Sequence, residues 1–171
     1  MSTPPAPFNT TPNLPTSGEW FDEVDRETGK PGLRFKCTMC GNCCTGPEGY
    51  VNFSEDEGRA IAKRLKISVE EFNREYTKKT PSGPSLKEKQ TQFGLDCIFL
   101  DREKVPGKAV CGIYEDRPAQ CRTWPFWPWM LRGRREWERA KKTCPGIDTG
   151  PVIPPQKIRI QRANTPHDPD R

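Results

Sequence analysis

The sequence predicts a small, irregular α+β domain with short helices and a short hairpin, stapled by its cysteines rather than by a large apolar core. Three observations lead there. Apolar residues make up 32% of the 171-residue chain and charged residues 30%, too little oily surface for a large core. Eight cysteines supply the staple that such a chain needs. The periodic segments are short, each opened by a capping residue or bounded by turn residues.

Taken in order, residues 1–32 are expected to form a disordered leader, because positions 1–18 are rich in Pro, Thr and Ser and carry no periodicity. The working domain is expected over residues 33–150. Ser54-Glu55-Asp56-Glu57 reads as a capping box, in which the Ser side chain and a Glu three residues on satisfy the free N–H groups of a helix start. Ala60, Ile61 and Leu65 follow at helical spacing and predict a helix over 55–65. Ser68-Val69-Glu70-Glu71 repeats the device, with Phe72 and Tyr76 on one face of a second short helix. Residues 80–92 are polar, contain Pro81, Gly83 and Pro84, and predict a loop. Cys97-Ile98-Phe99-Leu100 reads as a short buried strand, paired across a hairpin with Val110 to Tyr114. Arg117-Pro118 opens a helical turn carrying Cys121, since proline is tolerated in a first turn. Residues 133–142, with Trp137 and Ala140, predict a last, basic helix ending before Cys144-Pro145-Gly146. Residues 151–171, with Pro151, Pro154, Pro155, Pro166 and Pro169 among charges, are expected to be a second disordered tail.

Which staple the cysteines form depends on compartment. Met1 to Pro7 has neither a basic start nor an apolar stretch, so no secretory signal is visible. No run approaches the ~18–20 apolar residues of a membrane span; the richest, Trp124 to Leu131, is broken by Pro125 and Pro128. A cytoplasmic location is expected, and with it reduced thiols that ligate metal rather than disulfides. The net charge of +5 is mild and selects no partner.

Cys37, Cys40, Cys43 and Cys44 form C-x2-C-x2-C-C, followed by Cys97, Cys111, Cys121 and Cys144. Two intervening residues let a tight turn aim both sulfurs at one ion, and Gly41 can take the positive φ that such a turn needs. Thiolates suit zinc and iron–sulfur clusters and are poor ligands for magnesium or calcium. The adjacent side chains of Cys43 and Cys44 are expected to diverge. One would serve a first site while the other bridges, serves a second site or lies free; one such arrangement joins Cys37, Cys40 and Cys43 with a distant cysteine and leaves Cys44 and the remainder for a second site. The only histidine is His167, in the C-terminal tail, which argues against mixed Cys/His fingers and against a Cys–His nucleophilic pair. Spacing leaves the metal open. Cys37-x2-Cys40-x2-Cys43 matches the start of a ferredoxin run, but Cys44 follows at once, and the one Cys-Pro is the distant Cys144-Pro145. A four-cysteine zinc site is equally compatible, although the second pair lacks the two-residue spacing of zinc ribbons.

Arg117 and Arg122 flank Cys121 and are candidate cofactor-binding residues. They could offset the negative charge of a multi-thiolate site or hold an anionic substrate. The plainer alternative is an Arg117 ion pair with Glu115 or Asp116 and a solvated Arg122. Trp124, Phe126, Trp127 and Trp129 could stack a base, yet such aromatics more often cover a small core and shield a metal site. The basic stretch from Arg132 to Lys142 is interrupted by Glu136 and Glu138 and reads as a solvated helix rather than a nucleic-acid face. Tyr50 and Tyr114 are conceivable acid/base groups that nothing sets above structural tyrosines. No Gly-rich strand-to-helix fingerprint for a nucleotide appears.

Cys37-x2-Cys40-Gly41-x-Cys43-Cys44 resembles, together with Cys97-x-Phe99-Leu100, the YkgJ-type cysteine-cluster family of zinc- or iron-chelating domains. Cys111-x-Ile113-Tyr114-Glu115-x-Arg117-Pro118-x2-Cys121-Arg122-x2-Pro125-Phe126 and the late Cys144 extend the match over roughly residues 35–148. The resemblance implies metal binding through the cysteines and names no reaction. The flagellin lysine methylases resemble the same cysteine pattern and are associated with an iron–sulfur cluster, which tilts the expectation towards iron–sulfur, with a redox or methylase-related role. The alternative is a structural zinc module that meets a protein or RNA partner.

Overall fold

The computed structural model describes residues 18–166, so His167 lies outside the described residues. The fold is a mixed α+β arrangement of short helices and small antiparallel sheets. A 3-10 turn, Trp20–Asp22, places Phe21 in the interior and precedes β1 (Leu33–Phe35). The Cys37–Cys44 segment ends in a 3-10 turn, Asn42–Cys44, and runs straight into β2 (Thr45–Gly46). Helix α1 (Glu55–Leu65) begins at the predicted capping box, with Ser54 and Glu57 each serving the other's backbone N–H. Helix α2 (Val69–Tyr76) begins at Ser68, whose hydroxyl accepts the Glu71 N–H.

Where a loop was expected over 80–92, the chain instead makes two hairpins. β3 (Thr77–Thr80) pairs with β4 (Gly83–Leu86), and β5 (Glu88–Thr91) pairs with β6 (Gly94–Cys97). Gly83 and Gly94 sit at positive φ, at the turns that close them. The polarity that suggested a loop comes from the exposed residues of these strands, among which Ser85, Leu86 and Asp96 are buried. β6 also pairs with β2, so Thr45 faces Asp96 next to Cys97. The predicted hairpin exists but is shorter than expected. β7 (Leu100–Asp101) pairs with β8 (Val110–Cys111), while Cys97 belongs to β6.

Helix α3 (Ala119–Arg122) follows Pro118 and carries Cys121. Helix α4 (Arg134–Lys141) buries Trp137 and Ala140, as its spacing predicted. It is not the last helix. β9 (Ile147–Ile153) pairs antiparallel with β1, and α5 (Pro155–Ala163) follows, with Pro155 at its first position. The expected disorder therefore fails at residues 18–32 and 151–166. Prolines there start a helix and edge a strand, and Phe21 and Ile158 supply buried apolar anchors that the proline count concealed. No helix among the described residues is long and apolar enough to cross a membrane.

Two apolar clusters result. One gathers Phe21, Leu33, Phe126, Met130, Trp137 and Ile158 from both ends of the chain. The other gathers Ile61, Phe72, Leu86, Phe99 and Ile113 around α1 and α2, with Cys97 and Cys111 packed against it.

Candidate metal centre

The cysteine turn is built by two left-handed residues. Met39 (φ 56°) and Gly41 (φ 78°) reverse the chain between the first cysteines. A methionine in that conformation costs of order 1–3 kcal/mol and is held here by the Ala109 N–H donating to its carbonyl at 2.8 Å. Gly41 is required twice over. A side chain there would meet the Ala109 Cβ at 2.6 Å, besides needing the positive φ. The Cys44 N–H closes the turn onto the Gly41 carbonyl at 2.9 Å, and the Asn42 amide donates to the Thr143 carbonyl at 2.7 Å, beside Cys144.

A second network fixes the turn to Cys97. The guanidinium of Arg102 donates from Nε to Asp96 Oδ2 at 2.9 Å and from Nη2 to Thr45 Oγ1 at 2.6 Å. The Thr45 hydroxyl also lies 2.6 Å from Asp96 Oδ1 and 3.0 Å from the Gly41 carbonyl oxygen. Asp96 is buried, and the Arg102 hydrogen bond holds its carboxyl below the usual range. Sequence reasoning passed over Arg102 and Asp96. The only signal was a charge next to Cys97, and nothing local says that a strand pairing will bury it.

All eight cysteines are free. Cys37, Cys43, Cys44, Cys97, Cys111 and Cys121 line one cavity of about 390 Å³ between the two apolar clusters. Cys40 and Cys144 are outside that lining, yet Cys40 acts electrostatically on Cys144 and on Arg102. Contrary to expectation, Cys43 and Cys44 do not diverge. Their sulfurs stand 3.7 Å apart and both line the same cavity. Among the described residues no group of three His, Cys, Asp or Glu side chains is already closed tightly enough to hold an ion.

The electrostatics are those of a crowded thiol site. Cys43 is drawn down to about 7, chiefly by its hydrogen bond from Cys44, with Arg117 adding a favourable charge. Cys44 is pushed up as the donor of that bond and by burial. Burial lifts Cys97 to about 11, aided by Cys111, and lifts Cys121, aided by Cys97 and Cys111. Without a cation these groups oppose one another's ionisation; a cation among them reverses the sign, so metal uptake must release protons.

Arg117 lines the cavity with its guanidinium carbon 3.7 Å from the centroid of the Tyr114 ring. The ion pair expected as its alternative does not form; Asp116 pairs with Arg64 instead. Arg122 turns away, to Glu57 at 3.0 Å, so of the two flanking arginines only Arg117 faces the thiols. Trp124 and Trp127 line the cavity and pack on the terminal cluster, while Phe126 is core, in keeping with a shielding role. Tyr50 stacks under Lys78, away from the lining, whereas Tyr114 belongs to it. In the basic stretch Arg134 pairs with Glu23 and Lys141 with Asp148.

A family model described as a "putative zinc- or iron-chelating domain", named for the CxxCxxCC pattern, matches residues 36–145. The chain belongs to the CxxCxxCC family. The match takes in all eight cysteines and ends just past Cys144, so β9 and α5 both lie beyond it. No solved structure matches the chain. The donor chemistry of this CxxCxxCC domain fits zinc or iron: the cavity wall is rich in sulfur, and of two buried donors from residues that line it, Arg117 Nε has no acceptor while the Trp124 indole N–H is directed at the Cys144 sulfur. Such donors suit thiolates, which accept hydrogen bonds, better than neutral thiols. Trp124 already favours the ionised form of Cys144, against the burial that raises it.

Proposed function

We propose that this chain holds an iron–sulfur cluster through thiolates drawn from Cys37, Cys43, Cys44, Cys97, Cys111 and Cys121. Cys40 and Cys144 are the candidates for a second site. The observation that carries the proposal is the convergence of six thiols on one cavity of about 390 Å³. A zinc ion and a [2Fe–2S] or [4Fe–4S] cluster each take four protein ligands, so the six thiols supply either, and it is the room among them that favours the larger group. A cluster needs both the room and the sulfur ligands. When bound, it would supply one-electron chemistry at a potential tuned by nearby charge and hydrogen bonds.

The chain's own groups have defined tasks. The Cys37–Cys44 turn and the β6–β8 region bring thiols from distant sequence to one place. Arg117 offsets their charge, and the Trp124 N–H serves the Cys144 sulfur. Trp124, Trp127 and the α1–α2 cluster keep bulk water from the cavity's inner wall. A reducing compartment such as the cytoplasm would keep the eight thiols available.

The test is elemental analysis with a visible spectrum on protein purified without oxygen. Iron, acid-labile sulfide and a visible band bleached by dithionite would support the proposal. Stoichiometric zinc in a colourless, dithionite-inert protein would replace it with a structural thiolate module, and the question would become which partner its surface meets.

A further inference from the structure

The cavity is not only a thiol site. Its remaining wall is apolar, formed by residues such as Val51, Leu86, Leu100 and Val110, and its rim exposes Met39, Val105 and Tyr114 by 41%, 39% and 47%. A volume of about 390 Å³ is more than tenfold the ~30 Å³ share of a water molecule. A metal centre against the thiol wall would take only part of this volume, and what remains faces a wall of the kind that encloses small organic ligands, mostly apolar with a few placed polar groups. The thiols apart, the charged side chains lining it are Lys104 and Arg117; no carboxylate is among them.

Arg117 differs from the arginines around it. Arg102 is committed to Asp96 and Arg122 to Glu57 and to the Arg117 carbonyl, but the Arg117 guanidinium itself makes no ion pair or hydrogen bond with another described residue. It is pinned against Tyr114 by stacking, and its Nε is buried without an acceptor. A guanidinium held in a fixed plane, with donors to spare at the edge of an apolar cavity, matches the two oxygens of a carboxylate.

We propose that this cavity binds a small apolar carboxylic acid beside the metal centre, its carboxylate on Arg117 and its body against the Met39–Val105 rim. This rests on the reading of the cavity as a metal-binding site and adds the class of molecule admitted to it.

Octanoate and its neutral counterpart octanol are the probes, titrated calorimetrically and through tryptophan fluorescence into protein as isolated without oxygen, with metal content measured on each sample. Octanoate should bind saturably and at least tenfold tighter than octanol. Arg117→Met should erase that preference. Val105→Asp, which sets a like charge at a rim position that is 39% exposed and is not a metal-ligating residue type, should weaken octanoate at least tenfold with metal content unchanged. No saturable octanoate binding, or equal binding by wild type and Val105→Asp, would overturn the proposal. Metal content is read separately, so protein without metal breaks the metal-site reading, and metal-loaded protein blind to octanoate breaks only this one.

Discussion

The two apolar clusters beside the thiol cavity are closed in different ways. The terminal cluster is sealed by large side chains and by an ionic clasp. Phe126 stacks on Trp137 with ring centroids 5.8 Å apart, and Trp20 donates its indole N–H to the Leu131 carbonyl at 2.8 Å. Arg159 and Arg162 of α5 reach back to Glu19 and Asp22. The helical cluster is tied by single ion pairs, Arg64 to Asp116 and Arg122 to Glu57, and Cys97 and Cys111 pack against it. One region stands mainly on apolar burial, with the single thiol of Cys144 at its edge, while the other takes part of its wall from two thiols of the cavity. Chelation should therefore separate them.

The largest effect expected is from metal removal or Cys121→Ser, each costing several kcal/mol, because binding free energy in such sites is folding free energy. Hydrogen exchange should speed first in α1, α2 and β6–β8, with β1, β9 and α5 protected longer. Uniform loss of protection would mean that the two clusters are one cooperative unit. On the other side, Trp137→Ala should cost about 3–5 kcal/mol by removing a fully buried aromatic. Chemical denaturation of the metal-loaded variant would measure it, and metal stoichiometry should stay at the wild-type value.

Ile158→Ala is sharper still as a comparison, since Ile158 lies beyond the family match yet is fully buried. A loss of about 2–4 kcal/mol is expected; a change below ~0.5 kcal/mol would detach α5 from the domain. Ser54→Ala should cost about 1 kcal/mol by freeing the Glu57 N–H at the start of α1, read from the shift in denaturation midpoint.

The smallest effect concerns pH. Burial pushes the Glu19 carboxyl up, but Arg162 and Arg159 more than offset this and hold it below its ordinary value. A carboxyl lowered in the folded state stabilises above its unfolded pKa of ~4.3, and that contribution is lost as pH falls through the folded value. Glu19→Gln should cost about 0.5–1 kcal/mol at neutral pH and flatten the stability profile below pH ~4. An acid limb identical to wild type would remove the clasp from the comparison.

Local signals were legible where they were complete within a few residues. Ser54 and Ser68 start helices because each cap needs only a side chain and the N–H three residues on. Gly41 takes its positive φ because the cysteine spacing demands a reversal there. The strands over 77–97 were hidden because their pairing is non-local and half their side chains face solvent, which looks like loop composition. The terminal elements were hidden for a related reason. A tail with one buried isoleucine and several prolines is ordered only by what it packs against.

The sequence by itself determined the chemistry: eight cysteines, four of them in one turn, with the lone His167 well outside the cysteine motifs. Tertiary structure alone decided which of them meet. Six share a cavity and two do not, Cys43 and Cys44 face the same way, and Arg117 rather than Arg122 stands over the thiols. Ligand type is a property of single side chains, and their convergence depends on strand pairings between residues some fifty positions apart, such as Thr45 with Asp96.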